Sequence, residues 1–240
     1  MKIGTCRRPL LEPCELEGFS YQLDPYIGCE HLCYYCYALN NATTDWSAEI
    51  LVHEDFISRL EHEIANLKPQ RIYMGWNSDP YQPVEAHRLE TRHALEVLKG
   101  HGFSVCILTK SDLVARDIDL LKAMEGASAG ISLAFQDESV RKLFESKAPP
   151  NEQRLAGLKQ LKAAGISTYA LICPVIPFIT DVEALVKQLE PWADSIWVYP
   201  LEMKSENDRN WQNTKAILEQ HFPHLTEDIK RIVFNPRGRS

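Results

Sequence analysis

The chain has no run of about 18 apolar residues, so it offers no transmembrane helix. Its opening stretch, MKIGTCRRPLLEPCE, has neither a continuous apolar core nor a small-residue cleavage site, so it does not read as a secretory leader. Cytoplasmic is therefore the expected location, and no membrane partner is expected. Positive charge is scarce: 26 Lys and Arg stand against 33 Asp and Glu, a formal net charge of −7. That removes the global field by which many proteins attract nucleic acid. Near its ends the chain is locally basic, at Arg7 and Arg8 and at Lys230, Arg231, Arg237 and Arg239, and these read as solvated termini. Linkers rich in Gly and Ser, low-complexity tracts and close repeats are absent, so nothing marks a flexible tether.

What is there is a globular composition, 45% hydrophobic and 25% charged over 240 residues, within the range of one large domain. From residue 70 onward, short apolar runs alternate with segments of helical period. The runs are RIYMG (71–75), SVCILT (104–109), AGISLAF (129–135), STYALI (167–172) and SIWVYP (195–200); GFSYQL (18–23) precedes them. They are continuous rather than alternating, which suits strands buried on both faces. Between them, Val114, Ile118, Leu121 and Met124 recur at helical spacing, as do Val182, Leu185, Val186 and Leu189. Thr180 to Glu183, TDVE, has the form of a capping box, and Gly165 is placed to end the helix carrying Leu155, Leu158 and Leu161. EDFISRLEHEIANL (54–67) reads as a first helix. Strand then helix, six times, predicts an α/β fold: a parallel sheet rolled into a partial (β/α)6 TIM-like barrel, too short for eight units.

In that architecture chemistry gathers at the carboxyl ends of the strands. The first such loop is DPYIGCEHLCYYCYA. It places three of the seven cysteines, Cys29, Cys33 and Cys36, within eight residues. An odd, clustered set in a reducing compartment points to metal rather than disulfides. Soft thiolates select zinc, copper(I) or iron–sulfur clusters. A structural zinc is closed by four ligands, and His31, inside the short Cys29–Cys33 interval, is cramped for that role. Three thiolates on a 4Fe–4S cluster leave one iron open to a substrate or cofactor. Both metals stay open on the residues alone.

Three residues between the first two cysteines, two before the third and Tyr35 just ahead of it resemble the radical SAM signature. DPYIGCEHLCYYCYA, SDPYQPVE with TRHALEVL, ILTKSDLVARDIDLL and SKAPPNEQRLAGLKQLKAAGI resemble the spore photoproduct lyase-related group of that superfamily over roughly residues 22–203. The resemblance implies a radical SAM core over 18–205, between an N-terminal extension (1–17) and a C-terminal helical extension (206–240). It implies a 4Fe–4S cluster on Cys29, Cys33 and Cys36. The open iron would bind S-adenosylmethionine, and its reductive cleavage would give a 5′-deoxyadenosyl radical. Tyr35, Asn77, Ser78, Asp79, Lys110 and Ser132 fall where cofactor contacts are expected, Lys110 facing the cofactor's carboxylate. Tyr34 and Tyr37 join Tyr35 in shielding the cluster. Cys173 and Tyr199, near the ends of the fifth and sixth predicted strands, are the candidate catalytic residues, Cys173 as a hydrogen donor. An electron donor such as flavodoxin or ferredoxin is the expected partner, a second protein completing the substrate site is a further expectation, and the group's substrate is nucleic acid.

The chain departs from that group in one place. The lyase returns a hydrogen from a cysteine at the end of its second strand, where this chain reads MGWNSDP, with Trp76 and Asn77. The Gly-Gly-Glu of many superfamily members is also missing there. A radical SAM modifier of a peptide or small molecule is the second reading, and a non-catalytic metal-binding module the third.

Overall fold

Five of the six strands read from apolar runs lie side by side in one sheet with the sixth, in sequence order. The computed structural model describes residues 1–235; Arg237 and Arg239 lie outside the described residues. The chain opens with β1 (Lys2–Cys6), β2 (Leu11–Pro13), β3 (Tyr21–Leu23), β4 (Tyr26–Ile27) and β5 (Glu49–His53). The alternation then runs α1 (Phe56–Ile64), β6 (Arg71–Met74), α2 (Glu85–Arg88), α3 (Glu90–Gly100), β7 (Ser104–Thr109), α4 (Ile118–Lys122) and β8 (Ser128–Leu133). It continues with α5 (Glu138–Phe144), α6 (Asn151–Ala163), β9 (Ser167–Val175), α7 (Val182–Leu189) and β10 (Ser195–Pro200), and ends with α8 (Arg209–His221) and α9 (Thr226–Phe234).

The main sheet has the order β10-β9-β8-β7-β6-β3-β2. β3, β6, β7, β8, β9 and β10 are parallel, and β2 joins the β3 edge antiparallel. This is the open, partial (β/α)6 barrel. Its outer face carries Val105, Ile107, Ala129, Ile131, Leu133, Ala170 and Ile172, all fully buried beneath Leu95, Leu98, Leu158, Leu161, Leu185 and Leu189. Each such leucine contributes about 1.5–3 kcal/mol by leaving water. The inner face is more polar and more crowded. Gly130 is one consequence: a Cβ there would come within 2.5 Å of the Tyr169 ring.

The first seventeen residues, read as an extension, supply β2 to the main sheet and β1 to a small sheet ordered β1-β5-β4. Among the described residues after 206 lie α8 and α9, which pack on the cysteine loop. Trp211, Leu218, Ile229 and Val233 share a second core with Cys33 and Tyr35.

Four local expectations are corrected. The helix read through Val114 and Met124 is a 3₁₀ turn over Asp112–Asp117 followed by α4. The chain bends at Asp117, whose buried carboxylate is held by Arg92 and Arg116. Asp181, not Thr180, caps α7 by accepting the Ala184 N–H; the Thr180 hydroxyl instead donates to the Ala134 carbonyl. The first barrel strand is only Tyr21–Leu23. β10 is not buried: Trp197, Val198 and Tyr199 are 54%, 46% and 43% exposed. It is the last strand of an open sheet, and of its six residues only Ile196 packs against the main core.

Candidate functional site

The cysteine loop is braced before it is functional. Asp24, just past β3, accepts the backbone N–H groups of Trp76 (3.1 Å) and Asn77 (3.0 Å) and the Asn77 side-chain amide (3.1 Å). Burial pushes its carboxyl up to about 6, against the pull of those amides. The Tyr26 hydroxyl donates to buried Glu85. The Ser78 hydroxyl donates to the Gly28 carbonyl at 2.7 Å, and Gln82 donates to the same carbonyl at 3.0 Å. The loops after β3 and β6 are thus laced together at the carboxyl end of the sheet. Gly75 permits the sharp exit from β6: its φ is +102°, and a Cβ would lie 2.2 Å from the Leu108 carbonyl oxygen.

Cys29, Cys33 and Cys36 follow on this frame as free thiols. Burial raises all three above the ordinary thiol range, Cys33 to about 12. The Lys110 ammonium works the other way on Cys33 and Cys36, and the Ala38 and Leu39 N–H groups favour the Cys36 thiolate. A metal taking these ligands must displace their protons, and the nearby cation and amides favour that step. Tyr35 is buried between the second and third cysteines, and its hydroxyl donates to Glu145. Of the three tyrosines expected to shield the cluster, Tyr34 and Tyr37 are 37% and 47% exposed while Tyr35 is buried, and α8 and α9 pack on the loop as well.

Lys110, one residue past β7, and Ser132, near the end of the adjacent β8, meet, Nζ donating to Oγ at 3.1 Å. Among the described residues this is the ammonium's one hydrogen bond. Its nitrogen stands 5.9 Å from the Tyr35 ring centre. Burial pulls the ammonium down, but Cys33 and Glu145 outweigh it, so Lys110 is raised above its ordinary value. A buried ammonium with spare donors is a receptor for an anion. Asp79 is not available for that purpose. It accepts from the Thr109 hydroxyl (2.6 Å), the Lys110 N–H (2.7 Å) and the Tyr81 N–H (2.8 Å). His31 Nδ1 lies 3.2 Å from it, too poorly aligned for a hydrogen bond, and neither ring nitrogen has one among the described residues. Burial opposes ionisation of Asp79, yet His31 and these donors hold it at about 2.

Of the predicted site residues, the structure gathers the three cysteines, Tyr35, Lys110 and Ser132. Asn77, Ser78 and Asp79 stand alongside with their polar atoms engaged by the protein. Cys173 is half-buried within the electrostatic reach of Lys110 and Cys36. Tyr199 stands apart on exposed β10. Cys106 lies in β7 with Sγ 3.6 Å from the Tyr169 hydroxyl, and Cys6 lies 3.8 Å from the His53 ring. Sequence reasoning missed Asp24, Gln82, Glu145 and Arg154. The stretches DPYIG, SDPYQP and SKAPPNEQR contain Asp24, Gln82 and Arg154, and Glu145 directly precedes the last of them, but most of their partners are distant in sequence. Among the described residues, no group of three His, Cys, Asp or Glu side chains is arranged for a single metal ion. A cluster asks something else of its loop, one thiol for each of three irons, and a soft three-thiol set beside a cation fits it.

A partial (β/α)6 barrel with such a loop at its carboxyl end defines a class of radical enzymes. The chain belongs to the radical SAM superfamily, whose family profile matches residues 23–189. That family uses a 4Fe–4S cluster and S-adenosylmethionine, and these are the cofactors here. The chain is 32% identical over 223 residues to the uncharacterized protein MJ0683 of Methanocaldococcus jannaschii, covering 91% of this chain and 83% of that protein. It is 30% identical over 183 residues to the uncharacterized protein Rv2578c of Mycobacterium tuberculosis, covering 71% of this chain and 54% of that one. Spore photoproduct lyase complexed with dinucleoside spore photoproduct has a similar fold, with a TM-score of 0.65 at 17% identity. A lyase mutant with bound AdoMet and the same dinucleoside gives 0.65 at 18%. Both alignments cover 92% of this chain and 66% of the lyase. The chain thus spans about half the length of the mycobacterial relative and just under two thirds of the lyases.

Proposed function

We propose that this chain holds its cluster on Cys29, Cys33 and Cys36 and reductively cleaves S-adenosylmethionine to abstract hydrogen from a substrate in the barrel. The observation that carries the reading is the placement of Lys110. Its ammonium is beside Cys33 and Tyr35, anchored among the described residues by Ser132, with donors left for the cofactor's carboxylate. Ser132 orients the ammonium, and Asp79 holds the Lys110 backbone. Tyr35 and the C-terminal helices keep water from the thiols. Asn77 and Ser78 brace the loop on which the cofactor rests. When bound, the cluster supplies the electron that splits the sulfonium C–S bond into methionine and a 5′-deoxyadenosyl radical. A ferredoxin- or flavodoxin-like donor provides that electron.

The likeness to spore photoproduct lyase supports a lyase reaction on a nucleic-acid component. In this reading Cys173 returns hydrogen to the product, and Tyr199 borders the open side by which substrate enters. One observation favours the second reading, modification of a peptide or small molecule: Trp76 occupies the strand end where the lyase has its cysteine. Exposed β10 is a surface on which a second protein would complete the substrate site. Anaerobic assay of the reconstituted, reduced protein tests the reading. 5′-deoxyadenosine forming without added substrate, and faster with a thymine-dimer dinucleoside than with peptides, supports the lyase form; no cofactor cleavage refutes the reading.

A further inference from the structure

Behind Lys110 and Ser132 lies an ion pair wholly out of water: Arg154 and Glu145 side chains are both 0% exposed. Each end of the pair is committed to a different part of the site. The Glu145 carboxylate accepts the Tyr35 hydroxyl, and Tyr35 separates Cys33 from Cys36. Arg154 donates through Nη1 to the Ser132 carbonyl at 3.0 Å and through Nε to the Pro149 carbonyl at 2.8 Å. The pair is itself fixed: Arg141 donates to the Glu145 and Ala148 carbonyls at 2.8 and 2.9 Å. Stability is a weak reason for such a pair, because desolvating two charges offsets what their attraction returns, and apolar residues of similar volume pack as well. Its geometry gives a better reason. The carboxylate is tied to the cysteine loop, the guanidinium to the strand that presents Ser132, and Ser132 in turn anchors Lys110.

We propose that Glu145 and Arg154 are positioning residues for S-adenosylmethionine: they fix Ser132 and Lys110 relative to Tyr35 and the cluster loop, so that the ammonium meets the cofactor's carboxylate at one defined distance from the cluster. The inference rests on the functional reading above. Neither residue touches the cofactor; Arg154 acts through Ser132 and Glu145 through Tyr35. A planar guanidinium serves three acceptors in fixed directions, and an ammonium cannot reproduce that fork.

The test compares wild type, Arg154→Lys and the double variant Glu145→Gln/Arg154→Met, which removes both charges of the pair together. Each is reconstituted anaerobically and its iron counted. Binding of labelled S-adenosylmethionine is measured by equilibrium dialysis, and the spectrum of the reduced cluster is recorded by electron paramagnetic resonance with and without the cofactor. The expected result is wild-type iron with at least tenfold weaker cofactor binding, and no cofactor-induced spectral change at a concentration that saturates wild type. If Arg154→Lys fails to fold, the double variant gives the answer. Cofactor binding within twofold of wild type in a variant carrying its full cluster overturns the inference, as does loss of the cluster from both variants. Wild type that holds a full cluster but binds no S-adenosylmethionine is a separate result; it overturns the functional reading and the inference with it.

Discussion

The Lys110 ammonium, just past β7, and the Ser132 hydroxyl of neighbouring β8 are 3.1 Å apart, and this contact aims a buried cation at the cysteine loop. A hydrogen-bonded charge pair to the cofactor's carboxylate is worth about 1.5–3 kcal/mol. Lys110→Met is therefore expected to weaken S-adenosylmethionine binding roughly tenfold to a hundredfold while leaving the iron content unchanged. Equilibrium dialysis on the reconstituted protein reads both.

Changing any one of Cys29, Cys33 or Cys36 to Ala removes a thiol from the loop and should abolish the cluster. Cys106→Ala should leave it intact, since that sulfur lies in β7 against Tyr169. Iron and acid-labile sulfide counts decide this, and a full cluster in Cys33→Ala contradicts the assignment.

Asp79 gives the fold an acid dependence with a defined sign. Its folded value, about 2, lies below the ordinary 3.8, so the carboxylate stabilises the folded chain above pH 4 and that contribution fades as pH falls towards 2. The difference corresponds to about 2 kcal/mol. Asp79→Asn should lower the unfolding free energy of the metal-free chain by about that much at pH 7, and the gap should narrow towards pH 2. Urea unfolding at several pH values checks it.

Gly75 tests the turn that brings the β6 loop to the cysteines. With φ at +102° and 2.2 Å between a new Cβ and the Leu108 oxygen, Gly75→Ala must move backbone. A loss of about 3 kcal/mol or more is expected, lowering Tm by several degrees in a chain of this size. Thermal unfolding beside Gly126→Ala, a positive-φ glycine with open space around it, separates the clash from the dihedral cost.

The barrel was legible because strands buried on both faces read as continuous apolar runs, and helices between them keep their period. The same rule misread β10, since SIWVYP has a buried strand's composition but lies at a sheet edge where Trp197, Val198 and Tyr199 stay exposed. β4 has two residues, too few for any periodicity, so the small sheet beside the cysteine loop went unread. The cluster loop was legible because its ligands are local, eight residues from first to last. The supports were not: Tyr35 and Glu145 are 110 residues apart, and Asp24 lies 53 before Asn77. Nothing in either segment alone shows that a buried charge is satisfied from the other. Ser78 and Asp79 were placed in the right loop, but their hydrogen bonds turn inward to hold it together.

The most direct measurement is anaerobic. The protein is reconstituted with iron and sulfide, reduced with dithionite and given S-adenosylmethionine; 5′-deoxyadenosine is then separated by chromatography, with iron and zinc counted in the same sample. The account predicts 5′-deoxyadenosine that disappears when any of Cys29, Cys33 or Cys36 is replaced by Ala. Stoichiometric zinc with the cofactor left uncleaved would contradict it.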